Sequence, residues 1–227
     1  MNQFDASVKE YEGKFKEGQI IDGLVNPLKY LNAKFKIAWF LKEAYTEEEK
    51  GWHIKKYYGG ENAYKSFFSN TAIPTWHPII YVSYGILNNF QDWATMHYIR
   101  YKPEMCDVVS EIAIINANKW PSKTDTITLH KNLEEGFKEC KPIIEHQVQV
   151  LKPEIHIFGN TVHLYMEIFG LNDSQPIVES DLLKVWQKDG KLFIGTYHPA
   201  IRSYKRQKYV DGIINEVKKW ADNRGQI

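Results

Sequence analysis

Leu151-Lys152-Pro153-Glu154-Ile155-His156-Ile157-Phe158-Gly159-Asn160-Thr161 is the stretch from which the fold is read. An apolar helical stripe (Leu133, Phe137, Cys140, Ile144, Val148, Leu151) stops just before Pro153, which cannot continue a helix. A short run, apolar at nearly every position, then ends on the breaker pair Gly159-Asn160. Such a run suits a strand covered on both faces, as in a parallel sheet between helices. Moving outward, Ile37–Leu41, Ile112–Ile115 and Leu192–Ile194 have the same character. Pro142, inside the stripe, predicts a kinked or divided helix, and a second stripe runs from Tyr209 to Trp220. Asn2–Phe15 and Gly23–Leu31 read as weaker helices, and the aromatic-rich region 51–101 has no clean period. Strands alternating with helices predict an α/β fold: a three-layer α/β/α sandwich with a mainly parallel four-stranded sheet.

The length of 227 residues fits one domain spanning 1–227. An apolar share of 43% supplies a sizeable core, and 25% charged residues with 14% aromatics exclude a disordered chain. Two cysteines, Cys106 and Cys140, build neither a disulfide framework nor a four-cysteine metal site. No apolar run reaches the ~18 residues of a membrane span, and the polar start is unlike a signal peptide, so a cytoplasmic protein without membrane contact is expected.

In open α/β sheets ligands bind beyond the carboxyl ends of the strands. The residues predicted there are Lys42-Glu43-Ala44-Tyr45, Asn116-Ala117-Asn118-Lys119-Trp120, Gly159-Asn160-Thr161 and Thr196-Tyr197-His198-Pro199-Ala200. A carboxylate, an amide and an imidazole thus meet on one edge. Each has an ordinary alternative: Glu43 as a solvated charge or partner of Lys42, Asn116 as a turn former, His198 as a surface residue. No phosphate-binding glycine loop, Gly-x-Ser-x-Gly elbow or helical His-Glu metal pattern occurs.

These motifs resemble the uracil-DNA glycosylase superfamily. Thr196–Ala200 is similar to the His-Pro motif ending that family's fourth strand, and Cys140–Gln147 followed by Leu151–Gly159 resembles the preceding helix and strand of its iron–sulfur branch. Ile114–Lys119 is similar to the strand whose terminal Asn reads the base. Leu41–Tyr45 sits where the metal-free branch has Gly-Gln-Asp-Pro-Tyr, and Ser66–Ser69 with Pro74 resembles the segment carrying a stacking ring. The likeness covers roughly residues 30 to 220. Leu41, Lys42, Glu43 and Ala44 depart from the first-loop pattern, and Trp120 stands in place of a cluster cysteine. With only two cysteines, no iron–sulfur cluster, metal or other cofactor is expected.

What the resemblance implies is a monofunctional DNA glycosylase of base-excision repair: a monomer that flips uracil or a related damaged pyrimidine from single- or double-stranded DNA and hydrolyses its N-glycosidic bond. His198 would donate to the leaving base, and Glu43 would hold water beneath the sugar. Asn116 would read the base edge, Phe68 would stack on the ring, and Tyr45 would fill the space of a thymine methyl. The ordinary reading of Phe68 and its neighbours is as core aromatics, and it outweighs the stacking role. Beyond His198, Ile201 would wedge into the helix, while Arg202, Lys205, Arg206 and Lys208 meet phosphates. The changed first loop leaves two rivals: a catalytically silent DNA- or nucleobase-binding member, and an enzyme for another base. The charge distribution agrees with a DNA partner. The total is only +1, yet residues 198–227 carry 7 basic and 3 acidic side chains against 22 and 25 before them.

Overall fold

In the computed structural model, which describes residues 3–45, 50–122 and 130–224, the four apolar runs lie side by side as parallel strands. They are β2 (Ile37–Leu41), β3 (Ala113–Asn116), β4 (Ile155–Gly159) and β7 (Lys191–Thr196), in the order β3-β2-β4-β7. The sheet is larger than the four strands expected. Three short antiparallel strands extend it to seven: β1 (Gly23–Leu24) beside β3, and β6 (Leu183–Lys188) then β5 (Val178–Glu179) beside β7. β6 alternates buried and exposed positions at its start, whereas β2, β3 and β4 are buried throughout, as their unbroken apolar runs require.

Successive residues of the central strands feed two separate cores. Ile37, Trp39, Ile114, Ile157 and Ile194 pack under α4 (Ile73–Leu87) and α7 (Arg206–Arg224). Phe40, Ile115, Phe158 and Phe193 face α1 (Gln3–Glu12) and α5 (His130–Leu151). Full burial of each such side chain is worth roughly 1.5–3 kcal/mol, so the two cores hold the sheet from both sides. His156 is the one polar residue in its run. Its ring stacks on Phe193 at 4.4 Å, and Nδ1–H donates to the Leu192 carbonyl at 3.2 Å. Burial drives its pKa down to about 3, so the neutral ring packs as another aromatic plate.

Three helix expectations are corrected. The segment from Gly23 to Leu31 begins as β1, and α2 starts only at Pro27 (Pro27–Asn32), where Asn26 Oδ1 caps the Lys29 N–H at 3.1 Å. The predicted break at Pro142 does not divide α5, which runs unbroken over 22 residues. Proline removes the bond to the carbonyl four residues earlier, and that carbonyl belongs to the exposed Lys138, on the solvent side of the helix. The first helix also ends earlier than expected, at Glu12. The unassigned aromatic region holds α3 (Ile54–Tyr58), a 3-10 turn at Ala63–Phe68 and α4. The remaining elements are α6 (Val162–Tyr165) and a 3-10 stretch, Pro103–Glu111, leading into β3. No helix among the described residues is long and apolar enough to cross a membrane.

Candidate functional site

Chain connections leave β2 toward β3 on one side and leave β4 toward β7 on the other, so the crevice expected of this topology falls between the carboxyl ends of β2 and β4. This is the place where open α/β sheets bind ligands. The loops after β2 and β3 run together out of the sheet. Ala117 N–H donates to Leu41 O (2.8 Å), Asn118 N–H to Lys42 O (2.9 Å) and Ser122 N–H to Ala44 O (2.9 Å). Lys42 and Glu43 are thereby carried beside Asn116 and Asn118. Glu43 is half-buried, with one carboxylate oxygen enclosed. Tyr45 lies further out, bridged to Ser122 and 39% exposed.

The loops after β4 and β7 form the other lip. Asn160 N–H donates to Thr196 O at 2.8 Å, and Thr161 Oγ1 donates to Phe40 O at 2.8 Å, tying this lip back to β2. Between the lips, Gly159 permits a close approach. A Cβ there would stand 3.0 Å from both Leu41 Cδ2 and Pro199 Cδ, and 3.8 Å from His198 Cα. The β2 loop and the His-Pro motif therefore meet across a single missing methyl.

His198 has a defined protonation state. The Ala200 N–H donates to its Nδ1 at 3.2 Å, so the ring proton resides on Nε2. Burial, and then the Lys42 ammonium, lower its pKa to about 4. At neutral pH it is an uncharged hydrogen-bond donor. Asn116 is 4% exposed, and its side-chain amide makes no hydrogen bond among the described residues. Its backbone N–H, by contrast, donates to Asp22 Oδ2 at 2.6 Å.

Asp22 belongs to a group that sequence reasoning did not find. Lys119, wholly buried, donates to Asp22 Oδ1 (2.8 Å), Asp22 Oδ2 (2.9 Å) and Gln147 Oε1 (2.8 Å). Gln147 Nε2 returns a bond to Asp22 Oδ1 at 2.9 Å. Burial presses the Lys119 pKa down, and the Asp22 carboxylate opposes that shift. Lys119 was visible only as part of the motif after β3, and its partner lies 97 positions earlier, with no local pattern to announce it.

On the other flank the loop after His198 carries the basic residues. Arg202, Lys205, Arg206 and Lys208 are all exposed, and none forms an ion pair among the described residues. Ile201 is half-buried against the core under α4 and α7. A cavity of about 150 Å³ lies here, lined by Pro74, Pro78, Pro199, Arg202, Arg206 and Tyr209. Phe68 reaches this flank indirectly: it is half-buried and meets His77 edge-on at 5.5 Å, and the Arg206 charge acts on His77. Glu43, Asn116 and His198 thus all stand on strand ends or loops at the same edge of the sheet; Tyr45 lies further out on the loop after β2, and Phe68 is linked to the His198 flank only through His77. Among the described residues, no group of three or more His, Cys, Asp or Glu stands close enough to share a metal ion. Comparison of the chain with models of known protein families and with curated proteins found no match.

Proposed function

We propose that this protein is a DNA glycosylase that hydrolyses the N-glycosidic bond of uracil or a related damaged pyrimidine and leaves an abasic site. The observation that carries the reading is the neutral His198, whose Nδ1 is occupied by the Ala200 N–H and whose Nε2–H is left to donate. Cleavage of the bond moves negative charge onto the departing base, and a preorganised donor aimed at that charge is the form of stabilisation enzymes use most. The positive charge of Lys42 close to this ring favours the same anion. Asn116 presents a donor and an acceptor with no internal hydrogen bond, which suits the edge of a uracil-like ring. Glu43, beside Asn116, supplies a carboxylate to orient water and offset charge on the sugar. The exposed cations beyond His198 meet phosphates of the strand.

The test is incubation with uracil-containing single strands and with U·G and U·A duplexes, followed by alkaline cleavage of abasic sites. Strand scission that exceeds a His198→Ala control is the expected result; parity with that control defeats the reading. A silent DNA-binding member is the second reading. Its support is Leu41, which stands where the family has glycine and packs close over Gly159 at the head of the crevice. Salt-dependent DNA binding without base release would favour it.

A further inference from the structure

Lys42 and Lys119 stand at the carboxyl edge of the sheet, in the loops after β2 and β3, and they are partnered differently. Lys119 is wholly buried and spends its ammonium on Asp22 and Gln147. Lys42 is half-buried and forms no ion pair among the described residues. Its backbone is held in place: Leu41 lies opposite Asn116 in the parallel pair, and the Asn118 N–H donates to the Lys42 carbonyl at 2.9 Å. The residue before it reaches the narrowest point of the edge, because Leu41 Cδ2 and His198 Cα stand 3.0 and 3.8 Å from the place where Gly159 would carry a Cβ. The residue after it is Glu43, also half-buried. After burial, the Lys42 charge is the next influence lowering the His198 pKa, so the ammonium stands within electrostatic reach of that ring.

What a lysine offers at such a place is an amine, the group that forms imines with carbonyl carbon. Hydrolysis of an N-glycosidic bond makes that carbon on the spot: the abasic sugar it leaves is a hemiacetal, which opens to an aldehyde at C1′. The Gly-Gln-Asp-Pro-Tyr pattern that the β2 loop resembles has an amide at this position, and an amide forms no imine. His198 is unsuited to the role, since the Ala200 N–H occupies Nδ1 and the other ring nitrogen carries the proton. We infer that Lys42 is the nucleophile of a second activity, a β-lyase that cuts the strand at the abasic site. The Lys42 amine, its proton lost to solvent, adds to the C1′ aldehyde, and the adduct loses water to give an imine. A C2′ proton passes to the Glu43 carboxylate. Its electron pair becomes the C2′–C3′ double bond, and the C3′–O bond breaks, so that the phosphate leaves as the 5′ end of the downstream strand. Water then hydrolyses the imine, restoring the amine and releasing an unsaturated aldehyde. The water lost is regained, the Glu43 proton returns to solvent, and no oxidant or reductant is consumed. The inference rests on the glycosylase reading, which supplies the aldehyde.

The test uses the full chain and a labelled strand with a preformed abasic site, which bypasses excision. Wild type cuts this strand without alkali. Sodium borohydride, which reduces an imine to a stable amine, leaves the protein covalently joined to the DNA, and peptide mapping of that adduct by mass spectrometry finds it on Lys42. Lys42→Arg keeps the charge and removes the amine: its scission falls to that of the strand alone and it gives no adduct, with its melting temperature measured alongside. The mapping is done on the wild type, so it decides the matter whether or not the variant folds. No scission or no adduct with wild type, or an adduct that survives Lys42→Arg or maps to the exposed Lys205 or Lys208, overturns the inference. Uracil excision by the same preparation, revealed with alkali, separates the two levels. Excision without cleavage of the abasic strand removes the lyase alone, whereas cleavage of that strand without excision removes the glycosylase reading and leaves Lys42 in its role.

Discussion

On the Asn116 side of the crevice, a lysine, an aspartate and a glutamine are sealed from water behind the strand end; on the His198 side, four exposed cations form no ion pair among the described residues. The first wall is expensive to build. Two charges must be stripped of water, and their attraction repays that only because hydrogen bonds saturate both. In return, the Asn116 backbone is fixed by a charge-assisted bond at 2.6 Å. The second wall spends no carboxylate on its cations and keeps their charge available to something outside. One flank is organised for position and the other for attraction, as reading a base and gripping a backbone would demand.

That contrast is open to attack from either side. The largest effect should come from the sealed wall. Asp22→Ala strands a buried ammonium and should lower unfolding free energy by about 3–5 kcal/mol in urea titration, while Asp22→Leu/Lys119→Met restores much of the loss. If the double variant is no more stable than the single one, the pair is not the element that holds this wall. Next, His198→Ala should reduce base excision about 10²–10³-fold, the usual weight of one preorganised donor, with little change in melting temperature. Comparable losses of stability and rate would make the imidazole a packing residue instead.

A smaller effect is set by acid. Above pH 6.5 His156 is neutral in both folded and unfolded chains and contributes no slope. Between pH 6.5 and about 3 only the unfolded chain takes up its proton, so stability falls as pH falls, by up to about 1.4 kcal/mol per pH unit. His156→Phe should flatten that part of the stability–pH curve; an unchanged slope assigns acid sensitivity to other groups. The smallest effect belongs to the open wall. Arg202→Gln should leave stability unchanged, weaken DNA binding a few-fold and reduce the salt slope by about 1.

How much of this was legible follows from how local each signal is. The four parallel strands announced themselves because burial on both faces leaves unbroken apolar runs, and the His-Pro motif is contiguous. The β6–β7 hairpin was legible too, and was missed. Asp189-Gly190 is a two-residue turn signal; both residues have positive φ (49° and 71°), and Lys188 pairs with Lys191 around them. The sealed wall was not legible. Lysine is almost never fully buried, and nothing near Lys119 or Asp22 in the chain reports that the two meet.

Gly159 gives the crevice an adjustable dimension. Its absent side chain lets Leu41 and Pro199 close to within the reach of one methyl group, so the spacing between the β2 loop and His198 is held at its minimum by an atom that is not there. Alanine at this position is a shim. It would part the two lips by a few tenths of an ångström and leave every side chain of the proposed chemistry in place, converting the width of the opening into a variable that can be set against the size of the base admitted.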